Sequence, residues 1–395
     1  MPVPVLMPEP GGPMAAPAPA PARGRSARAR LHALALLAAA PFCVAAPLPA
    51  NAQQKNWSKG VPEIALLLPA RSSRFGAAGE ALRRGFLAAQ KLDGVRSFEV
   101  VETDESPKAL VAALTRLRDR GVRVAVGPLT RAGAGAVLSS GRGILPVVLL
   151  NDADIALDAP PSMIAFGLSS EQEARRIVDA AIPAPPVGAP LPPPHPVLLI
   201  SGTGLLDRRM SEGFRQALAD RGQQPAMVDV PADSAGLQAL AAQVRSAPPQ
   251  QIFLALGMRD ALRVRPFLPR GVAIYATSQI NPGDAVTKAL ASDLAGIHFV
   301  EMPWLTEPDH PAVMVYPRLS FEDDTVVTVE LERLYALGID AWRVARSWLE
   351  GQTRFEVDGV TGMLRVDRDK SPRVERFPAF AVFQGGRVVR DDPAK

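Results

Sequence analysis

The chain has 395 residues, 47% of them hydrophobic and 21% charged, a composition that buries a sizeable core and excludes wholesale disorder. Its formal charge of +4 is concentrated near the start, where Arg23, Arg25, Arg28 and Arg30 against Glu9 contribute +3 before residue 53. The remainder is nearly neutral and has no Lys/Arg-rich run, so it lacks the clustered cations that nucleic acid or an anionic membrane requires, and both partners are set aside.

The four arginines precede the apolar run Leu31 to Ala46, which ends near Ala50-Asn51-Ala52, a small-x-small site before Gln53. This order predicts a secretory signal peptide over 1–52, with Met14 as an alternative start, and a short linker over 53–60. Pro41 and Pro47 leave the run too short for a spanning helix of about 20 residues, so no integral membrane segment is expected after cleavage. Cys43, the single cysteine, follows Pro41 and bulky Phe42 rather than small residues, which favours a cleaved signal over a lipid anchor. Cleavage before Gln53 would leave a mature chain without thiol chemistry or disulfides.

From residue 61 the sequence alternates short apolar runs with amphipathic stretches: strand Ile64 to Leu68, helix Ala77 to Leu92, strand Phe98 to Glu102, helix Pro107 to Arg120, strand Val122 to Val126, helix Arg131 to Ser139, and strand Leu145 to Leu150. A second series runs from Met163 to Tyr275, with strands at 163–166, 197–200, 226–230, 252–256 and 272–275 separated by helical stretches. Tandem β-α rhythm builds two doubly wound, mostly parallel sheets, and such sheets bind ligands beyond the carboxyl ends of their strands. The Pro-rich stretch 183–196 reads as a surface loop. Helix Val326 to Leu349 places Leu331, Leu334, Tyr335, Ile339, Trp342 and Ala345 on one core-facing stripe, and Gly338 within it suggests close approach of another backbone. Two hairpins close the chain, around Gly359 and Gly362 and around Gly385-Gly386.

No catalytic constellation stands out. His195, His298 and His310 have no metal-ligand spacing, neither a zinc motif nor a GxSxG elbow occurs, and Gly202-Thr203-Gly204 and Gly76-Ala77-Ala78-Gly79 match no phosphate-loop pattern. The pairs Asp152-Asp154 and Asp323-Asp324 read as caps and turns, so no catalytic residue, metal or cofactor is expected. Chemistry would sit on loops after strands, which nominates Ser72, Ser73, Thr130, Asn151, Thr203, Thr277, Ser278 and Gln279 as ligand-binding residues of an interlobe cleft. Thr130 at a helix start either offers its hydroxyl, with nearby N–H groups, to a carboxylate or phosphate, or simply caps its helix.

Ile64-Ala-Leu-Leu-Leu-Pro69, the loop into Gly79 to Gln90, and Val126-Gly127-Pro128-Leu129 resemble type I periplasmic binding proteins over nearly all of 61 to 390. Within that group the chain is most similar to the penicillin-binding-protein activators of the LppC family. The stretches that carry this are Phe166-Gly-Leu-Ser-Ser-Glu-Gln-Glu-Ala174, Gly296-Ile-His-Phe-Val-Glu-Met-Pro-Trp304, Leu334-Tyr-Ala-Leu-Gly-Ile-Asp-Ala-Trp342 and Glu356-Val-Asp-Gly-Val-Thr-Gly-Met-Leu364. The resemblance implies a two-lobed fold with three crossings, near residues 163, 280 and 351. It assigns 61–163 and 281–350 to lobe one, and 164–280 and 351–395 to lobe two. It also implies a periplasmic protein, not an enzyme, that docks onto a class A penicillin-binding protein and stimulates its transpeptidase. The alternative from the same fold is a solute receptor working with an ABC permease. Amino-acid receptors of this kind resemble one another in a Ser/Thr-rich loop after the third strand and an acidic group for the ligand's amine, and Thr277-Ser278-Gln279 carries no acid.

Overall fold

The computed structural model describes residues 62–391 apart from 71–72, 95, 154–160, 192 and 284–290. The expected signal peptide and linker, Cys43 and Ser72 lie outside these residues. All described residues belong to one compact unit, Ser58–Lys395.

The first sheet is wholly parallel, in the order β2-β1-β3-β4-β5, with β1 at Ile64–Pro69, β2 at Phe98–Thr103, β3 at Val124–Val126, β4 at Val147–Leu149 and β5 at Met163–Ala165. Every residue of β1 is buried, because helices cover both faces of a parallel sheet. Side chains alternate across the sheet: Ile64, Leu66 and Leu68 enter one apolar core, whereas Ala65 and Leu67 enter another beneath α2 (Pro107–Asp119) and α3 (Arg131–Ser140). The first core is shared with α1 (Gly76–Asp93) and with the long helix Val329–Leu349. That helix and α1 touch backbone to backbone, since a Cβ added at Gly338 would lie 2.1 Å from the Leu82 carbonyl oxygen and one at Gly85 would lie 1.9 Å from that of Tyr335. The close approach expected at Gly338 is therefore present, with Gly85 as its counterpart.

The second sheet takes β6 (Val197–Ser201), β7 (Ala226–Asp229), β8 (Gln251–Ala255), β9 (Ala273–Ala276) and β10 (Ile297–Glu301) in parallel, order β10-β9-β8-β6-β7. Its helices are α4 (Ser170–Ala181), α5 (Leu205–Asp220), α6 (Ser234–Ser246) and α7 (Met258–Val264), and the helix Val329–Leu349 is α8. Beyond α8, β11 (Arg354–Gly359), β12 (Gly362–Asp367) and β13 (Glu375–Phe377) form a small antiparallel sheet. Then β14 (Ala379–Gln384) extends the second sheet antiparallel to β10, and β15 (Arg387–Arg390) pairs antiparallel to β14 at its edge. The Pro-rich loop between α4 and β6 is largely exposed, as expected.

The lobe boundaries drawn from the sequence shift in three places. Met163–Ala165 begins no second series: it pairs with β4 at the edge of the first sheet. Ile297–Glu301, placed in lobe one, is a strand of the second sheet, bonded to β9 on one side and β14 on the other. The hairpin β11–β12, placed in lobe two, buries Val357, Val360, Leu364 and Val366 in the first core instead. The three passages between lobes therefore fall after β5, after β10 and between β13 and β14. Which sheet a strand joins is set by its hydrogen-bonding neighbour, which its own apolar pattern does not specify.

Candidate functional site between the lobes

A buried charge lies on or beside each of the three passages. After the first, Ser169 caps α4 and Glu173 lies in its first turn, 6% exposed. At the second, β10 ends in Glu301, 1% exposed, and at the third β13 carries Arg376, 7% exposed. Arg376 Nη2 donates to Glu173 Oε1 at 2.7 Å, and the backbone N–H of Ser278 donates to Glu173 Oε2 at 3.0 Å. From α8, Arg333 Nη2 donates to the Ser278 carbonyl at 2.8 Å and to Glu301 Oε2 at 2.6 Å. Asn281 Nδ2 donates to the same Glu301 oxygen at 2.8 Å, and the N–H of Met302 to its Oε1 at 3.0 Å. Burial opposes the charge on Arg333, but the carboxylate of Glu301 outweighs it and holds the guanidinium above its ordinary range. Removing one member of such a buried pair leaves an uncompensated charge, at a cost of about 3–5 kcal/mol.

The stretches that carried the family resemblance meet here and next to here. Asp340, fully buried in α8, accepts from the N–H of Val360 at 3.1 Å and from the N–H and hydroxyl of Thr361 at 2.8 and 2.7 Å, which fixes the β11–β12 turn to the helix. Burial pushes its carboxyl up, against the pull of Arg343 and of these donors. The N–H of Trp304 donates to the Val360 carbonyl at 2.9 Å, and its indole N–H bonds Glu332. Arg376 Nη1 reaches the Thr361 carbonyl at 3.4 Å.

The residues nominated for a ligand do not converge. Ser73 is an exposed turn residue whose hydroxyl accepts from the N–H of Phe75 at 3.2 Å, and Thr203 is exposed on the loop before α5. Thr277 is fully buried and donates to Met210 Sδ at 3.0 Å, while Ser278 is used through its backbone in the charge network. Asn151 Nδ2 donates to the Leu129 carbonyl at 3.0 Å. Of the seven described nominees, Gln279 alone lines the large described cleft, a space of about 1100 Å³ bounded by Asp207, Arg259 and Asp260 on one lobe and by Arg318, Val326 and Glu330 on the other.

Of the two readings of Thr130, the cap is what the structure shows. Its hydroxyl accepts from the N–H of Gly133 at 3.1 Å and so caps α3, and the same helix start binds a carboxylate. That carboxylate is the chain's own. Glu105 Oε1 accepts from the N–H of Leu129 at 2.9 Å, and its Oε2 accepts from the N–H of Thr130 at 3.3 Å and from the Thr130 hydroxyl. Glu105 is 9% exposed and has φ +55°, a left-handed backbone conformation that the surrounding contacts must hold. The strand-to-helix turn Gly202-Thr203-Gly204 is treated likewise, since the N–H of Gly204 donates to Asp207 Oδ2 at 3.1 Å. At both strand-to-helix turns an acid from the same chain occupies donors that a bound anion would use.

The described histidines are structural: His195 Nε2 lies 3.2 Å from Gln251 Oε1, His298 Nδ1 lies 2.7 Å from Asp391 Oδ2, and His310 Nδ1 accepts from the N–H of Ala312 at 3.2 Å. Asp152 accepts from Gln172 and Asp323 closes a turn onto Thr325; Asp154 lies outside the described residues. Among the described residues no group of His, Cys, Asp and Glu is arranged to hold a metal ion, and no helix is long and apolar enough to cross a membrane.

Comparison with known proteins identifies the family. The model of the family described as "LppC putative lipoprotein" matches residues 42–182 and 229–386, most of the chain. The chain belongs to the LppC family. Penicillin-binding protein activator LpoA of Erwinia tasmaniensis is 25% identical over 341 residues, covering 74% of this chain and 48% of that protein. The chain spans about half the length of the curated relatives it matches. Among solved structures, the C-domain of Haemophilus influenzae LpoA, described as a regulator of PBP1A, aligns over 83% of this chain and 99% of its own, with TM-score 0.66 and 20% identity. A structure described as a branched-chain amino acid ABC transporter from Chromobacterium violaceum aligns over 81% and 99%, with TM-score 0.63 and 31% identity. The fold is thus the two-lobed type I periplasmic-binding-protein fold read from the sequence, shared by LppC members and transport receptors.

Sequence reasoning missed Glu105, Glu173, Glu301, Arg333, Asp340 and Arg376. A signal was there to read for two of them: Glu301 ends a largely apolar strand run, and Asp340 interrupts the apolar run Leu334 to Trp342. Charges at core positions require partners.

Proposed function

We propose that this chain is a periplasmic docking protein with no chemistry of its own, which binds a peptidoglycan synthase of the class A penicillin-binding-protein type and stimulates its transpeptidase. The observation that carries the reading is the filled anion site: Glu105 saturates donors at the start of α3 that a solute carboxylate would need. The buried charges at the passages add to it, because lobes tied by Arg333, Glu301, Glu173 and Arg376 present a fixed surface rather than a closing trap. Membership of the LppC family, whose curated relatives here are named as activators, supports the same partner. Export through a cleaved signal before Gln53 places the protein in the periplasm in this reading.

The test is to add purified protein to class A penicillin-binding proteins from the same organism and to measure binding and the cross-linked fraction of the glycan product. Binding with increased cross-linking is the expected result, and no binding with unchanged cross-linking would sink the proposal.

A second reading, a solute receptor for an ABC permease, is favoured by the 1100 Å³ cleft that Gln279 lines and by the 31% identical Chromobacterium violaceum structure. Its ligand would be a small polar molecule bound without the anion site at α3.

A further inference from the structure

The connection from α4 to β6 is longer and stiffer than the fold needs. Its two ends lie together on one side chain: Gln251 Nε2 donates to the Ala181 carbonyl at 3.0 Å, and Gln251 Oε1 lies 3.2 Å from His195 Nε2. The ends are pinned again by Arg221 Nε, which donates to the Ile182 carbonyl at 3.0 Å, and by Gln223 Oε1, which accepts from the N–H of His195 at 2.9 Å. A helix-to-strand connection in α/β folds takes about 2–6 residues. Here 183–196 intervenes, with eight prolines and no charged side chain before His195. From 183 to 191 every residue but Pro185 is exposed, so the core does not hold this excursion in place. Local geometry does. The N–H of Ala189 donates to the Pro186 carbonyl at 2.9 Å and Gly188 has φ +85°, which closes a tight turn with Val187 wholly exposed at its tip. Pro185 and Pro186 before the turn and Pro190 after it have their φ fixed by the ring.

A single exposed apolar side chain is ordinary on a surface, but an uncharged, proline-stiffened turn held clear of the core is not. Its chemistry selects what fits it. Prolines have no N–H, so the turn offers ring faces and carbonyl acceptors, and it has no charge with which to bind a charged partner. The complement is a groove lined by aromatic side chains, whose faces pack on proline rings and whose indole or phenol groups donate to carbonyls. We infer that the turn 185–191 docks into an aromatic-lined groove on the synthase partner, with Val187 as the inserted side chain. Because its shape is set before binding, little chain freedom is lost on docking. The inference rests on the proposed function and names the part of the chain that makes the contact.

The experiment is a binding titration of the purified protein against the class A synthase. It compares wild type with Val187→Asn, with the triple variant P185G/P186G/P190G, and with Leu92→Asn as a control at an exposed apolar residue on the end of α1. Thermal melting of each variant separates misfolding from lost contact, and Val187, being wholly exposed, can be changed without touching the core. The expected result is a loss in affinity of about tenfold for Val187→Asn and about three- to tenfold for the glycine variant, with none for Leu92→Asn. Wild-type affinity in both turn variants would overturn the inference, leaving the loop a spacer and the proposed function standing. A loss confined to one of the two would overturn it as well, since a stiffened turn with an inserted side chain needs both. So would an equal loss in Leu92→Asn. Failure of the wild-type protein to bind any class A synthase would remove the proposed function and this inference with it.

Discussion

The two sides of the interlobe region are built differently. On the passage side, four charged side chains are buried and paired, three of them on or beside the segments that join the lobes and Arg333 on α8. On the open side, a cleft of about 1100 Å³ has carboxylates and guanidiniums on its walls but gathers only one of the described nominated ligand residues. Backbone donors at the starts of α3 and α5 are spent on Glu105 and Asp207. The difference teaches that this sequence concentrates its costly polar burial where the chain passes between the lobes.

The sharpest way to break the comparison is Arg333→Met, which keeps much of the side-chain volume and strands Glu301 in the interior. A loss of about 3–5 kcal/mol in thermal or denaturant unfolding is expected. A loss below about 0.5 kcal/mol, the size of an ordinary surface change, would mean that the passages are not held by these charges.

A smaller effect is expected on the open side. Glu105→Ala leaves the N–H groups of Leu129 and Thr130 without their acceptor, at a cost of about 1–3 kcal/mol by chemical denaturation. The same variant sharpens the comparison if added acetate or succinate restores part of that loss, since the freed donors are suited to a carboxylate. A variant as stable as wild type would show that Glu105 does not fill a site of any consequence.

Much of this fold was legible in order and kind. The run Ile64 to Leu68 reads as a strand because it is apolar throughout, and both its faces are covered. Gly338 reads as a backbone contact because nothing else justifies glycine inside that helix, and the partner carbonyl is that of Leu82. Sheet membership was less legible: Met163–Ala165 and Ile297–Glu301 look like strands in any lobe, and only their ladder partners assign them. The site was least legible of all, because its pairs are remote in sequence. Glu173 and Arg376 are 203 residues apart, and Glu105 lies 25 residues before Thr130. Thr130 could be named as a cap and an anion donor from its own position, but the acid that reaches it comes from a turn after another strand.

The central claim, that the interlobe region holds the lobes and not a solute, is tested most directly by a thermal-shift screen of the wild-type protein against amino acids, amides, aromatic acids and cell-wall fragments. A ligand at 100 times its dissociation constant would stabilise the fold by about 2.7 kcal/mol, a shift of several degrees. The account predicts no shift with any of them, and a saturable shift of that size with one compound class would contradict it.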